Sequence, residues 1–221
     1  MYNIGQNLVE FDLRLLKGIV VEANKRGVPV ALDNTYASGV YFDAFSHGVD
    51  LSIQALTKYV GGHSDLLLGS VSVKSKVGYK RVGDIFKQLG LAVSPDDCSL
   101  ALRGLQTLAV RLDALEIATL KVASWLGKHT SVERLFHPAF ETCPGHQIWK
   151  RDFSGSNGLF GLIFKTENAN AINIFIDSLE LFGLGGSWGG CESLVLPTNV
   201  TRTETSWKHN HNSIRFHVGL E

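Results

Sequence analysis

Residues 7–35 constrain the fold more than any other stretch. Residues 7–26 read as a helix. Leu8, Phe11, Leu15, Ile19 and Ala23 fall near one face, with Leu16 and Val20 beside them, the spacing of a helix with one apolar stripe. Lys25, Arg26 and Gly27 supply a basic end and a glycine stop. Residues 28–32, VPVAL, then form an apolar strand that runs straight into Asp33, Asn34 and Thr35. A helix feeding a strand without polar alternation is the mark of an α/β fold with a mostly parallel sheet, because a strand covered on both faces has no solvent side. In such sheets ligands gather beyond the carboxyl ends of the strands. Asp33 therefore stands either against a ligand or in a turn or helix cap.

The next apolar run, VDLSIQAL, leads into Thr57 and Lys58 and then into Gly61 and Gly62. LLLGSVSV, residues 66–73, reads as a further strand. The spacing places Asp33 and Lys58 at the carboxyl ends of neighbouring strands. Removing an ammonium from water is costly. Lys58 thus either snorkels to the surface or is held neutral, and a neutral amine is a nucleophile.

Residues 40–47 read as a short helix and residues 78–90 as a longer one. Asp96, Asp97 and Ser99 offer N-caps for a long helix over 99–128. Its buried stripe is Leu105, Leu108, Leu112, Leu115, Val122 and Leu126. At 1.5 Å per residue it would extend about 40 Å and link two domains, residues 1–110 and 111–221. The pattern breaks at Gly127 and the flanking charges are poorly placed for a coiled coil. Beyond it the order changes to that of a small α+β domain. Residues 132–136 and 158–165 read as strands. Residues 168–181 read as a helix with Ile172, Phe175, Ile176 and Leu179 inward. Residues 213–218, SIRFHV, alternate as a half-buried strand does.

Charge excludes some functions. The 21 basic residues balance 21 acidic ones, so no basic face invites nucleic acid. No apolar run reaches the roughly 18 residues that a bilayer span needs, and the N-terminus does not read as a signal peptide. Cys98, Cys143 and Cys191 are odd in number and scattered, which points to a reducing, cytoplasmic setting and away from a metal site. His209 and His211 sit in a polar run with no third ligand nearby and read as a solvated loop rather than a metal site.

Two further features could carry chemistry. The glycine-rich segment FGLGGSWGG, residues 182–190, lacks both the lysine of a phosphate loop and the strand–helix setting of a dinucleotide site. It lets backbone approach a ligand closely and presents Ser187 and Trp188. Arg215, inside SIRFHV, points away from Ile214 and Phe216. It faces either solvent or a pocket, where it would grip a carboxylate with two parallel hydrogen bonds.

VALDNTYASG, ALTKYVGGHSD, ALRGLQTLAVRL, HPAF, GHQIWKRDFSGSNGLF, SWGGCESL and SIRFHVGLE together resemble the pyridoxal-phosphate enzymes of cysteine and methionine metabolism. Trp188 in SWGG is similar to the cystathionine β-lyase branch, where γ-lyases and γ-synthases usually carry leucine. The resemblance implies an α/β, aspartate-aminotransferase-like fold of type I with a small α+β C-terminal domain. It also implies pyridoxal 5′-phosphate as cofactor, cystathionine as substrate, and a homo-oligomer. Lys58 would hold the cofactor as a Schiff base and shuttle the substrate proton. Asp33 would pair with the pyridine nitrogen and Thr57 with the phosphate. Arg215 would bind the substrate carboxylate, with Ser187 and Trp188 shaping that pocket. The implied reaction is β-elimination, giving homocysteine, pyruvate and ammonia. Three departures accompany the likeness. Ala55 stands where the family often has serine. The family continues past Glu221 into a closing helix. The chain is expected to correspond to the family's C-terminal part, without the N-terminal half that carries the phosphate loop and the ring-stacking tyrosine. A non-catalytic fragment is the rival expectation.

Overall fold

In a computed structural model, the structure describes residues 13–198, 200, 207 and 209–221. They fold as two compact units. One holds residues 13–109 together with Asp152–Gly155; the other holds Val110–Arg151 and Ser156–Glu221.

The first unit begins with α1, Leu13–Lys25. Leu8 and Phe11 lie outside the described residues. Val20 is the buried position of the stripe and Ile19 is 41% exposed, so the inward face is shifted by one residue from the expected one. β1, Ala31–Asp33, starts later than expected. Its partner, β2, Leu51–Ala55, pairs with it in parallel, Ala31 opposite Leu51 and Asp33 opposite Ile53. β3, Gly69–Val73, pairs with β2 in the antiparallel sense. The sheet is therefore mixed. The connection 56–68 contains no crossover helix, and a parallel return would need one.

Residues 40–47 form turns rather than a helix. Asp43 captures the amides of Phe45 and Ser46 at 3.1 and 3.2 Å, and such local bonds compete with helix. α2, Lys76–Gln88, is capped by Ser75.

The long helix expected over 99–128 is two helices. α3, Pro95–Gln106, is capped by Ser94, with Asp96 and Asp97 inside its first turn rather than at the cap. α4 runs Leu108–Leu126. Thr107 separates them: its amide and its hydroxyl both turn back to the carbonyl of Gly104, each at 3.2 Å. A β-branched hydroxyl residue that bonds its own backbone ends a helix readily. Leu105 is consequently 53% exposed, while Leu108, Leu112 and Leu115 are buried.

The second unit is built on a five-stranded sheet in the order β4-β5-β8-β7-β6. The strands are β4 Val132–Phe136, β5 Leu159–Phe164, β6 Gly183–Leu184, β7 Leu194–Pro197 and β8 Ser213–His217. α5, His146–Asp152, and α6, Ala169–Asp177, complete the elements. α5, β6 and β7 are not apparent in the sequence pattern. Alternate strand residues Phe160, Leu162, Ile214 and Phe216 pack with Ala123 of α4 and with Ile172 and Ile176 of α6. The rings of Phe160 and Phe216 stack with centroids 4.9 Å apart. β8 is buried at every position, where a half-buried strand was expected. Its odd-numbered residues, Ser213, Arg215 and His217, are polar but covered.

Among the described residues no helix is long and apolar enough to cross a membrane. None of their His, Cys, Asp and Glu side chains form a group of three or more that could hold a metal ion. His209 is half-buried and His211 exposed. Cys98 is exposed, Cys143 buried and Cys191 half-buried, and none of the three is joined in a disulfide.

Candidate active site

Asp33 is the last residue of β1 and is exposed. Its Oδ1 accepts the amide of Thr35 at 3.0 Å and the Thr35 hydroxyl at 2.5 Å. The same hydroxyl oxygen accepts the amide of Ala55, the last residue of β2, at 2.9 Å. A relay therefore runs from the end of β2 through Thr35 to the carboxylate of Asp33, and it orients that carboxylate at the carboxyl end of the parallel pair. Thr35 was not singled out in the sequence. The signal was available: a threonine two residues after an aspartate can close such a turn.

β2 passes directly into the turn that carries Lys58. Lys58 is half-buried. Its amide donates to Ala55 O at 3.1 Å and its carbonyl accepts from Gly62 at 2.8 Å, while Gly61 donates to Leu56 O at 2.7 Å. Because β1 and β2 are parallel neighbours, Asp33 and Lys58 leave the sheet at the same end. Thr57 holds the turn closed. Its hydroxyl donates to Leu68 O at 3.2 Å and accepts from Leu68 N at 3.0 Å.

α3 holds the turn from outside. A Cβ on Gly104 would collide with the carbonyl of Val60 and lie 2.6 Å from that of Gly61. Only glycine lets the helix approach the turn backbone so closely. Arg103, the preceding residue, donates to Asp65 at 2.5 Å. Gly104 lies in the motif ALRGLQTLAVRL, but its contact with the lysine turn cannot be read from spacing.

In the second unit Arg215 stands on β8 opposite Gly161 of β5 and Leu196 of β7. It is 3% exposed, so the solvent-facing alternative is excluded. Its Nη2 donates to the carbonyls of Gly185, Gly186 and Ser187 at 3.2, 3.1 and 2.9 Å. These bonds fix the guanidinium beneath the glycine-rich segment. Ser187 is exposed and Trp188 is buried. Two residues along the strand, His217 holds the far side of the same segment. Its ring accepts from Gly189 N at 2.9 Å and contacts Glu192 O at 3.1 Å.

The donor set of the first unit fits pyridoxal phosphate at two points. A fixed carboxylate suits a ring N–H, and an amine at the same sheet end suits the aldehyde carbon. The Thr57 proton is already given to Leu68, so a phosphate contact there requires that bond to be exchanged.

The profile of the family described as Cys/Met metabolism PLP-dependent enzyme matches residues 10–221. Cystathionine beta-lyase MetC of Escherichia coli (strain K12) is 39% identical over 211 residues, covering 91% of this chain and 53% of that protein. L-alanine/L-glutamate racemase of Wolbachia pipientis wMel is 33% identical over 217 residues, covering 96% and 54%. Among solved structures, cystathionine gamma synthase from Xanthomonas oryzae pv. oryzae in complex with cystathionine superposes with a TM-score of 0.84 at 30% identity, over 93% of this chain and 55% of that one. The chain thus spans about half the length of the relatives it matches. The fold is α/β, of the type I class of pyridoxal-phosphate enzymes, and the cofactor is pyridoxal phosphate. This chain belongs to the family of Cys/Met metabolism PLP-dependent enzymes.

Proposed function

We propose that this chain works in a carbon–sulfur lyase that splits L-cystathionine by β-elimination into homocysteine, pyruvate and ammonia. The observation that carries the reading is the parallel β1–β2 pair, which delivers Asp33 and Lys58 at one end of the sheet. When bound, pyridoxal phosphate supplies an electron sink that lowers the cost of removing the proton on the substrate α-carbon. Asp33, oriented through Thr35, keeps a proton on the pyridine nitrogen. Lys58 holds the cofactor in the resting state, then takes the proton from Cα and passes it to the departing sulfur. Arg215 binds the α-carboxylate, and Ser187 and Trp188 border that pocket. The Cα–H and Cβ–S bonds break, homocysteine leaves as the thiol, and the three-carbon remainder takes up water, loses ammonia and becomes pyruvate.

Elimination, replacement at the γ-carbon and racemisation all begin with loss of the α-proton, so the relatives above share the step assigned to Lys58. Trp188 in SWGG favours β-elimination. The likeness to a γ-synthase structure supports γ-chemistry as the second reading. Incubation with pyridoxal phosphate, borohydride reduction and peptide mass spectrometry is expected to place a pyridoxyl group on Lys58 alone. No adduct, or an adduct scattered over the other lysines, overturns the cofactor site and leaves a non-catalytic chain. The products separate the two chemistries: pyruvate from β-elimination, 2-oxobutyrate from γ-elimination.

A further inference from the structure

We infer that His217 is a positioning residue for Trp188, acting as a neutral imidazole of one fixed tautomer. The inference rests on the reading of Trp188, with Ser187 and Arg215, as part of the substrate pocket. The tautomer follows from the partners. An amide N–H can only donate and a carbonyl can only accept. Gly189 N lies 2.9 Å from Nε2, so Nε2 carries no proton. Glu192 O lies 3.1 Å from Nδ1, so Nδ1 carries one and donates it. His217 is 0% exposed, so water does not substitute for either bond.

The place of these bonds gives them their role. Gly189 follows Trp188 directly and has a φ of 84°, a left-handed conformation that turns the chain immediately after the tryptophan. Its amide is buried with the imidazole. Side chains at i and i+2 of a strand share a face, and Arg215 and His217 do so on β8. Arg215 takes the carbonyls before Trp188, at Gly185, Gly186 and Ser187. His217 takes the amide after it. Gly158 makes room for the ring: a Cβ there would lie 3.1 Å from Nε2. The segment beyond is stitched to the chain end separately, Leu220 N to Cys191 O at 2.7 Å and Gly219 N to Ser193 Oγ at 2.9 Å.

Two amide variants separate the bonds. His217→Gln offers an acceptor where Nε2 stands, and His217→Asn offers a donor where Nδ1 stands. The readouts on the full chain are amide exchange at Gly189 and the indole N–H resonance of Trp188, assigned with Trp188→Phe. Neither requires turnover. In the Gln variant Gly189 exchange stays within about twofold of the parent and the indole resonance does not move. In the Asn variant Gly189 exchanges about tenfold faster, the size expected for one lost hydrogen bond, and the indole resonance shifts. Substrate KM, where turnover is measured, rises in the Asn variant and not in the Gln variant. An Asn variant indistinguishable from the parent, or Gln and Asn variants that lose Gly189 protection equally, overturns the inference. Failure of the lyase reading appears elsewhere, as a missing adduct on Lys58, and leaves the Gly189 result intact.

Discussion

The turn that carries Lys58 leaves a three-stranded sheet in which β1 and β3 have no fully buried residue. Arg215 stands on a strand whose every residue is buried. The two groups are nevertheless held to similar purpose, by different means. Lys58 is placed by backbone: a tight turn, the two-way bond between Thr57 and Leu68, and a helix pressed on the turn at Gly104. Arg215 is placed by a packed core on one face of β8 and by carbonyls on the other. In the proposed function Lys58 is a nucleophile that is displaced and returns, and it stands half-buried on a turn rather than in a packed strand. A fixed charge suits a buried strand, where low local dielectric strengthens each contact. The two regions should therefore fail differently.

Arg215→Ala tests the buried side and carries the largest expected effect. It removes bonds from a charged donor to three carbonyls and the packing of the side chain in a closed strand. About 3 kcal/mol of unfolding free energy should be lost, measured by urea denaturation. Arg215→Lys should recover only part, since an ammonium lacks the planar fork. A loss below 1 kcal/mol would mean that the strand tolerates the gap and that burial is not what fixes the arginine.

Acid tests the same unit at a second point. His137, next after β4, is 1% exposed, and burial pushes it down to about 4 from 6.5. The Asn157 backbone pulls weakly the other way. The amide of Ala139 donates to Nδ1 at 3.3 Å, so the neutral ring carries its proton on Nε2. The unfolded chain takes a proton near 6.5 that the folded chain refuses. Stability contributed by the neutral ring is therefore full above 6.5 and is lost as pH falls toward about 4. The loss over that window is on the order of 3 kcal/mol. Denaturation midpoints across the window should fall in the parent and flatten in His137→Gln. Equal slopes would place the acid sensitivity elsewhere.

These two sites also mark what the sequence leaves hidden. The apolar runs announced β2 and β5, and the placement of Asp33 beside the lysine turn follows from VPVALDNT and VDLSIQAL. Such runs are legible because a covered strand needs apolar residues along its length. β8 was misread in burial because Arg215 and His217 alternate with Ile214 and Phe216. Alternation signals a wet face only when the polar residues lack partners in the fold, and both have them. The break at Thr107 was hidden because no proline marks it. Thr35, Gly104 and His217 were missed for one shared reason: each acts on a segment distant in sequence, and pattern within a window does not record such pairs.

Gly104→Ala probes the lysine turn from the helix that covers it. Its methyl would meet the carbonyls of Val60 and Gly61, so either α3 or the lysine turn must shift. Overpacking of this kind costs about 2 kcal/mol. The diagnostic readout is local: borohydride-trapped labelling of Lys58 should slow several-fold relative to the parent. An unchanged rate with lowered stability would mean that the helix yields and the turn does not.

The smallest effect is expected at Arg103 and Asp65, which join α3 to the same turn near its end. The two side chains remain 54% and 39% exposed. Water and salt screen such a pair, and the side-chain entropy it immobilises offsets much of the attraction. Arg103→Ala should cost less than about 1 kcal/mol, and the difference from the parent should vanish at high salt. Because Gly104 and Arg103 are adjacent on α3 and act on one loop, their effects need not add. A double variant that loses more Lys58 labelling than the two single changes combined would show that helix approach and ion pair hold the lysine turn as one clamp. Simple additivity would assign the positioning to Gly104 and leave the ion pair as a solvated surface contact.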